Sequence, residues 1–527
     1  MHAVESFELV LTLLAVVLAL HWLALKLRWP PATVLLIGGG GLAFVPGLPS
    51  FSLNPELALV LFLPPMLIGG AFYTPLVRFR RQLPGILSLA VGAVVFTTLA
   101  VGVVTHWLMP QLPWAACFAL GAIVSPPDAV SAGAVLKGVK LPRRLTTLLE
   151  GESLLNDATG LILFRFAVAA TLTGAFDAGA AVMDFAVLAL GGALVGAAVG
   201  MAWVVLARRL KDRMLTILTI ILLSWVAYLA AEAVHVSGVI AVVVAGLIQS
   251  WHQHTVIPAS VRLQARSTNE TLNFVLEALV FMLIGFSLRG VVDRAGGIEA
   301  LGPMALVVLA VVVTVTAARF VWIIGSDSLA ALARRAGFRR VSPLGWRQGV
   351  TLGWAGMRGV VTLAIALTLP LDMPGRDLML VTAFAVIFAT VIVQGSSLGW
   401  LIRRIRPVDQ EPPAAVAMAG AEFAITRARA AAVEALAHGP DGEVLHPVML
   451  EASRKRLEFM ERYAADTDTV MEGLQTSFDV MLEAHAAGRA ELIRLHRSGQ
   501  IEDAVLHNLE RDLDVEEMGI IFQRDDP

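Results

Sequence analysis

Charge and cysteine are scarce in this chain. Of its 527 residues, 16% are charged and 57% are hydrophobic, and the mean hydropathy is +0.75. Because soluble domains are about 25% charged, this composition excludes an ordinary soluble protein. The single cysteine, Cys117, excludes an intrachain disulfide. The sequence has no cluster of histidine and cysteine, no nucleotide-binding loop and no nucleic-acid-binding motif, so no cofactor and no nucleic-acid partner is expected.

Long apolar segments separated by short polar links make up most of the chain. A membrane span needs about 20 apolar residues, which predicts an all-α integral membrane protein with a transmembrane domain at residues 1–406. In residues 407–527, apolar residues recur at helical spacing among many charges, which predicts a helical cytoplasmic tail. We expect thirteen transmembrane helices, covering residues 7–25, 31–49, 56–77, 83–106, 113–136, 145–173, 182–207, 214–232, 236–251, 271–288, 302–330, 348–370 and 377–402.

Basic residues are distributed unevenly between the links on the two sides of the predicted membrane. With the N-terminus outside, 23 of them fall on one side, and only Arg289, Arg294 and Arg376 fall on the other. Basic residues near span ends favour the cytoplasm, which predicts an external N-terminus and a cytoplasmic C-terminus in the plasma (inner) membrane. Lys26 and Arg28 follow the first span and no basic residue precedes it, which is typical of a retained helix rather than a cleaved signal peptide.

Two of the predicted spans are interrupted. The fifth contains Ser125-Pro126-Pro127-Asp128, and each proline lacks the N–H that a continuous helix would donate. The twelfth contains the glycine-rich run from Gly353 to Gly359. If two inverted six-helix repeats are joined by the seventh span, these segments are equivalent, and such discontinuous helices cross at the binding site of transporters. A simple proline kink and packing glycines are the alternative explanations.

Asp128 and Arg358 are charges placed beside these interruptions. A broken helix presents a partial positive charge at an N-terminus and a partial negative charge at a C-terminus. We therefore expect Asp128 to offset the former and Arg358 the latter, with neither residue carrying an ion.

The sixth span contains the acidic sequence Glu-Gly-Glu-Ser-Leu-Leu-Asn-Asp at 150–157. A charge near the centre of a bilayer costs about 2.5–3.5 kcal/mol on insertion scales, so it is rarely kept without a use. Ser153 and Asp157 are four residues apart on one helix face, and Glu152 and Asn156 form the neighbouring pair. Such oxygens, with carbonyls of the fifth span, suit a hard cation such as sodium or potassium. A polar helix–helix contact is the alternative.

Asp157 is the candidate cation and proton carrier, with Ser153 and Asn156 as its neighbours. Burial disfavours a charged carboxylate and a nearby cation restores it, so protons and cations would compete for the same group. Glu152 is expected to pair with Arg358; if Glu152 were free, two carboxylates would share the site and exchange could be electrogenic. Glu277, in the tenth span, is expected to form a structural ion pair or to contribute to the ion path. Arg319 is expected nearer the cytoplasmic end, with its side chain reaching the interface.

These motifs resemble those of the monovalent cation/proton antiporters of the NhaP and Na+/H+ exchanger branch. The resemblance rests on residues 150–157 with Leu161–Phe164, and on Gly356-Met357-Arg358-Gly359, and it extends to Leu63-Pro64-Pro65 and to Phe281–Gly285. It covers residues 7–405. It implies an electroneutral antiporter, usually a homodimer, in which a core domain containing the broken helices moves as a rigid body. It also implies that Asp157 is the carrier, with Asn156 and Ser153 beside it, and that Glu152 and Arg358 form the ion pair.

Two positions depart from the family pattern. The chain has Pro127-Asp128-Ala129 where the family usually has Thr-Asp-Pro, so a threonine oxygen is missing and the preference between sodium and potassium is left open. Gly69 stands where the family often has a glutamate, which favours a mechanism with a single carrier.

The sequence therefore predicts a secondary transporter, and not an enzyme, that exchanges monovalent cations for protons in pH homeostasis. Sodium is the first expectation, with lithium or potassium as further substrates. A K+-selective proton antiporter is one alternative. A cation channel is another, because intramembrane acids and broken helices also line pores, and a receptor or scaffold without transport is a third.

Overall fold

The protein folds into two compact units, Met1–Asp409 and Gln410–Pro527. The computed structural model describes residues 3–46, 55–128, 133, 141–174, 177–297, 299–337, 342–409, 414–439 and 441–525. Helices dominate these residues in both units.

Helices α1 to α14 make up the described part of the first unit. They cover Ala3–Leu27 (α1), Pro31–Ala43 (α2), Pro55–Tyr73 (α3), Leu76–Leu108 (α4), Trp114–Val124 (α5), Arg143–Thr173 (α6), Ala178–Arg209 (α7), Arg213–Ala233 (α8), Gly238–Val256 (α9), Ala259–Phe286 (α10), Leu301–Arg335 (α11), Trp346–Trp354 (α12), Val360–Leu367 (α13) and Arg376–Ile405 (α14). A short helix, Leu288–Arg294, continues α10.

Seven helices of the described residues are long and apolar enough to cross a membrane: α4, α6, α7, α8, α10 with its continuation, α11 and α14. Shorter apolar helices are present at Leu11–Leu27, Pro31–Ala43, Leu59–Phe72 and Trp114–Val124. The all-helical membrane architecture predicted from composition is therefore observed, whereas the count of thirteen spans and the inverted repeat stay predictions.

Glycines allow the backbones of α2 and α10 to touch. A Cβ built on Gly39 would lie 2.2 Å from the carbonyl oxygen of Met282, and one built on Gly285 would lie 2.3 Å from that of Leu36. Lipid gives no hydrophobic drive for helix association, so small residues that permit close backbone packing take that role. The spacing of these two helices therefore depends on glycine at both positions.

The two predicted interruptions are present. α5 ends at Val124, and Ser125 to Asp128 are not helical. The rest of the fifth predicted span lies outside the described residues, except Gly133. α12 and α13 are the two halves of the twelfth predicted span, and Ala355–Gly359 separates them.

α4 and α14 each contain a π-helical stretch, at Ser88–Ala93 and Thr390–Gln394. Neighbouring helices donate to backbone carbonyls in these stretches. The indole N–H of Trp322 on α11 donates to the carbonyl of Ser88 at 2.9 Å, and the hydroxyl of Thr33 on α2 donates to that of Val391 at 3.0 Å. Side chains from other helices thus satisfy backbone at both irregular stretches.

The described part of the second unit contains helices α15 (Ala414–Leu436), α16 (Pro447–Ala465), α17 (Thr467–Arg497) and α18 (Asp503–Asp525). α15 packs against α16, and α17 packs against α18. Leu450, Tyr463, Phe478 and Leu492 are buried within this unit. The unit is helical, as the spacing of its apolar residues indicates, and its cytoplasmic location stays a prediction.

Candidate functional site

The two interrupted helices meet through their non-helical segments. The backbone N–H of Asp128 donates to the carbonyl of Met357 at 2.6 Å, and both residues are buried. Irregular backbone inside a membrane protein must find partners within the protein. The contact between these segments satisfies two groups that neither helix pairs internally.

Arg358 lies at the C-terminal end of α5. Its Nε donates to the carbonyl of Val124 at 3.0 Å, its Nη2 donates to that of Ser125 at 3.3 Å, and its Nη1 donates to that of Gly356. Its backbone N–H donates to the hydroxyl of Thr390 at 3.0 Å. The last carbonyls of a helix are unpaired and carry partial negative charge, so this guanidinium supplies α5 with both donors and a positive charge.

The carboxylate of Glu152 pairs with Arg319 and not with Arg358. The Nη1–Oε1 distance is 2.5 Å, the Nη2–Oε2 distance is 2.8 Å, and each side chain is 2% exposed. The predicted pair of Glu152 with Arg358 is therefore wrong. The physical reason is that backbone carbonyls occupy the guanidinium of Arg358, whereas Arg319 presents its planar fork to both carboxylate oxygens.

Arg319 is buried in the centre of the site, so the prediction that its side chain reaches the interface is also wrong. Its Nε and Nη2 each donate to the carbonyl of Leu352, near the end of α12, at 3.2 Å. A Cβ built on Gly356 would lie 2.3 Å from this Nε, so glycine there makes room for the guanidinium. One sequence feature could have predicted a buried partner for this residue. Arg319 is the only charged residue between 301 and 326, and a charge inside a span almost always has a partner.

Asp157 is buried on α6, with 5% of its surface exposed. Among the described residues, its carboxylate has neither a hydrogen-bond donor nor an ion-pair partner. An unpaired buried charge is costly, so this position suits the predicted cation and proton carrier, and the role of Asp157 stays a prediction.

Other oxygen atoms lie along the same part of α6. Asn156 is fully buried, and its Nδ2 donates to the carbonyl of Pro127, while its Oδ1 has no partner in the described part of the chain. Ser153 borders a small cavity with Pro127, Asp128 and Glu152. The residues that the sequence assigns to the site, from α6 and from the interrupted segment, are thus brought together.

The side chain of Pro126 packs directly on α6. A Cβ built on Gly160 would lie 2.3 Å from its Cγ. Any larger residue at 160 would push the non-helical segment that follows α5 away from α6. Direct contact between the two elements therefore depends on this glycine.

Two further positions bear on the acidic groups of the predicted site, namely Glu277 and Gly69, where the family often has a glutamate. Glu277 is half-buried on α10, and its contribution to an ion pair or an ion path stays a prediction. A Cβ built on Gly69 would lie 2.2 Å from the Nδ2 of Asn273, so a glutamate there would require the Asn273 side chain to move.

Within the described ranges, no three His, Cys, Asp or Glu side chains come together in a cluster that could hold a metal ion. The candidate cation ligands are instead oxygen atoms of mixed kind, from carboxylate, amide, hydroxyl and carbonyl groups, which are the ligands that hard cations prefer.

Comparison with known proteins identifies the family. The family model described as sodium/hydrogen exchanger, transmembrane, matches residues 11–404. The chain therefore belongs to the sodium/hydrogen exchanger family. The resemblance to monovalent cation/proton antiporters is confirmed, and family membership makes the exchanger a transporter rather than an enzyme.

Similar proteins come from several organisms. The chain is 31% identical to an uncharacterized Na+/H+ exchanger of Mycobacterium tuberculosis over 99% of its own length and 97% of the relative. It is 35% identical to the sodium, potassium, lithium and rubidium/H+ antiporter of Bacillus pumilus over 74% of this chain, but it spans only 60% of that relative's length. The sodium proton antiporter MjNhaP1 from Methanocaldococcus jannaschii has the same fold, with a TM-score of 0.61 and 20% identity, over 77% of this chain and 99% of that one.

Proposed function

We propose that the exchanger moves monovalent cations against protons by alternating access, with Asp157 as the carrier. The observation that carries this proposal is the burial of Asp157 without a hydrogen-bond or ion-pair partner in the described part of the chain. The interruption of α5, at Pro127 and Asp128, lies beside it. A site that must hold either a proton or a cation, but cannot hold a bare charge, exchanges one for the other when its exposure alternates.

A single carrier supports electroneutral exchange. Glu152 is neutralised by Arg319, and Gly69 supplies no second acid from α3. With Asp128 offsetting a helix end, as the sequence predicts, Asp157 carries the one negative charge that is balanced in each half of the cycle, by one proton or by one monovalent cation.

Sodium is the first candidate substrate, with lithium or potassium as further ones. The Oδ1 of Asn156, which has no partner among the described residues, the hydroxyl of Ser153 and the carboxylate of Asp157 are hard oxygen ligands. Pro127 replaces the family's threonine, so one hydroxyl ligand is absent. The Bacillus pumilus relative is named for sodium, potassium, lithium and rubidium, and this supports potassium transport as the second candidate function.

The wider arrangement is proposed with the mechanism. The chain has thirteen spans in two inverted repeats, an external N-terminus and a cytoplasmic C-terminus, and works as a homodimer in pH homeostasis. The uneven distribution of basic residues supports the orientation.

Transport by reconstituted protein tests this proposal. Proteoliposomes with an imposed pH gradient should lose it when Na+, Li+, K+ or Rb+ is added, and the order of the cations gives the selectivity. Asp157→Asn should abolish the response, whereas Glu270→Gln, which removes an exposed charge on α10, should not. Wild-type exchange by Asp157→Asn would remove the proposed mechanism, and cation current without proton movement would identify a channel.

A further inference from the structure

We infer that Glu150 is the residue at which a cation enters the path to Asp157, and that this path is a polar stripe on α6. The polar stripe consists of Thr146, Glu150, Ser153 and Asp157. The inference rests on the proposed exchange function and adds the route by which its site is reached.

The four residues of the polar stripe lie on one face of α6. With 3.6 residues per turn, they fall within about 60° of one another around the helix axis. Between Leu145 and Leu154, only Thr146, Glu150 and Ser153 keep partial exposure, and the other residues are buried. Because ionisable and polar side chains are costly where they face lipid, this partly exposed face borders water.

The polar stripe ends at Asp157. The next residues on the same face are Leu161 and Phe164, whose side chains are apolar. Asp157 and Phe164 are each 5% exposed. The polar surface thus leads from the first turns of α6 to the carrier and stops there, as an entry path from one side of a membrane requires.

The opposite face of α6 packs on α4. A Cβ built on Gly85 of α4 would lie 3.0 Å from Cδ2 of Leu148, and one built on Gly151 would lie 2.5 Å from Cδ1 of Ile86. Leu148 is 2% exposed. This contact fixes the rotation of α6, so the polar stripe faces away from α4.

Glu150 gives the polar stripe a negative charge at its outer part. Among the described residues, its carboxylate has neither a hydrogen-bond donor nor an ion-pair partner. Arg143, two turns earlier on α6, pairs with Asp409 at 3.1 Å, so its positive charge is offset. The charge of Glu150 is therefore the one that an approaching ion meets on this part of α6.

Distance makes Glu150 a positioning residue rather than a second carrier. Seven residues at about 1.5 Å each place it about 10 Å from Asp157 along the helix, which is too far for one ion to contact both carboxylates. A negative charge at the mouth of a path raises the local concentration of cations and disfavours anions. Glu150 acts through Asp157 in this way, and Ser153 supplies a hydroxyl oxygen between the two carboxylates.

Neutralising Glu150 tests this role. Full-length Glu150→Gln is reconstituted beside the wild type and Glu270→Gln, and exchange is measured at mildly alkaline pH, where a carboxylate is ionised. The KM for Na+ should rise about threefold to tenfold, the scale of an interaction between charges about 10 Å apart near a protein surface. The maximal rate should stay within about twofold of the wild type, because only binding is weakened. A wild-type KM, or a loss of rate at an unchanged KM, would overturn the inference.

Charge conservation and salt give two readouts that a purely structural role would not move. Glu150→Asp keeps the charge and should restore a KM close to that of the wild type. Choline chloride at about 1 M shortens the screening length to about 3 Å, and it should shrink the difference in KM between the wild type and Glu150→Gln. A defect in Glu150→Asp as large as that in Glu150→Gln, or a difference that salt leaves unchanged, would refute the electrostatic role.

Thiol labelling tests the path without measuring exchange. The native Cys117 is completely buried, so a cationic, membrane-impermeant thiol reagent reports only on an introduced cysteine. Thr146→Cys and Glu150→Cys should react, whereas Leu148→Cys, on the opposite face, should not. Equal labelling at all three positions, or none at 146 and 150 in variants of normal thermal stability, would rule out the polar stripe as a water-filled path.

The wild-type reference separates the two proposals. If wild-type protein exchanges cations for protons and Glu150→Gln has the same KM, only the role of Glu150 fails. If wild-type protein shows no cation-driven proton movement, the proposed function fails, and the labelling pattern still decides whether the polar stripe is open to water.

Discussion

Glu152 and Arg319 form a bidentate ion pair, at 2.5 and 2.8 Å, that joins α6 to α11. The pair lies beside the segment that separates α12 from α13. The same guanidinium donates to the carbonyl of Leu352, so one side chain links three helices. A buried ion pair is stable only when its charges are fully paired and hydrogen-bonded, and this geometry meets that condition.

Breaking this pair should destabilise the protein strongly. Glu152→Ala or Arg319→Ala should each cost about 3–5 kcal/mol, because each leaves an uncompensated buried charge. The double variant Glu152→Ala/Arg319→Ala should cost less than the sum, because no lone charge remains. Unfolding of the purified full-length protein measures these costs, and Arg266→Ala, from an exposed pair, is the control at about 1 kcal/mol or less. Strictly additive costs would contradict the direct pairing.

Stability and exchange activity should depend on the shape of the side chain at position 358 as well as on its charge. Arg358→Lys keeps a positive charge, but a single ammonium cannot reproduce the fork that contacts the carbonyls of Val124 and Ser125. It should lose stability and exchange activity, though less than Arg358→Ala. Hydrogen bonds of charged groups contribute about 1.5–3 kcal/mol each, which sets the scale of the loss in unfolding experiments.

Thr390→Val provides the control for Arg358. It removes the acceptor of the backbone N–H and leaves the guanidinium in place. It should cost about 1–3 kcal/mol for one unsatisfied buried donor and should keep exchange. If Thr390→Val reduced exchange as much as Arg358→Ala, the role of the guanidinium at the end of α5 would be refuted.

Gly160→Ala should push α6 away from the non-helical segment that follows α5 and contains Pro126. The added methyl group would lie 2.3 Å from Cγ of Pro126, and forced overpacking costs about 1–3 kcal/mol. Exchange should fall with stability, because the carbonyl of Pro127 would move away from Asn156. Gly325→Ala is the matched control: a Cβ there meets nothing within 4 Å, so the substitution should be neutral or stabilise by up to about 1 kcal/mol. Equal effects of the two substitutions would argue against the contact.

The phenol of Tyr463, in the second unit, should lose its proton at a higher pH than an ordinary tyrosine does. Burial raises the pKa of its phenol, and the nearby Glu422 raises it further. The folded state therefore keeps this proton where the unfolded state, with an ordinary pKa of about 10, has lost it. The resulting stability is fully present below about pH 10 and is lost as the pH rises through the folded pKa.

Ultraviolet absorbance of tyrosinate measures this titration. Tyr463→Phe identifies the step among the three tyrosines of the chain, and Glu422→Gln should lower the midpoint only in part, because burial is the larger cause. A midpoint at the ordinary tyrosine value would contradict the burial of this phenol.

Local sequence predicted much of the site. The prolines at 126 and 127 and the glycines from 353 to 359 marked both interruptions, and the acidic run at 150–157 identified α6. These signals are local because a missing N–H or a charge in an apolar segment has the same consequence in any fold. The partner of Glu152 was not predictable in this way, because the sequence placed Arg319 nearer the cytoplasmic end, and only the packing of α6 against α11 brings its guanidinium to Glu152.

The sequence by itself determined that this chain is a helical membrane protein of the exchanger family, because composition, helical periodicity and short motifs need no knowledge of neighbours. Only the tertiary structure decided which arginine neutralises Glu152 and which carbonyls engage Arg358. Those choices depend on how each helix is rotated and on which groups already have partners. Both are set by packing between residues more than a hundred positions apart.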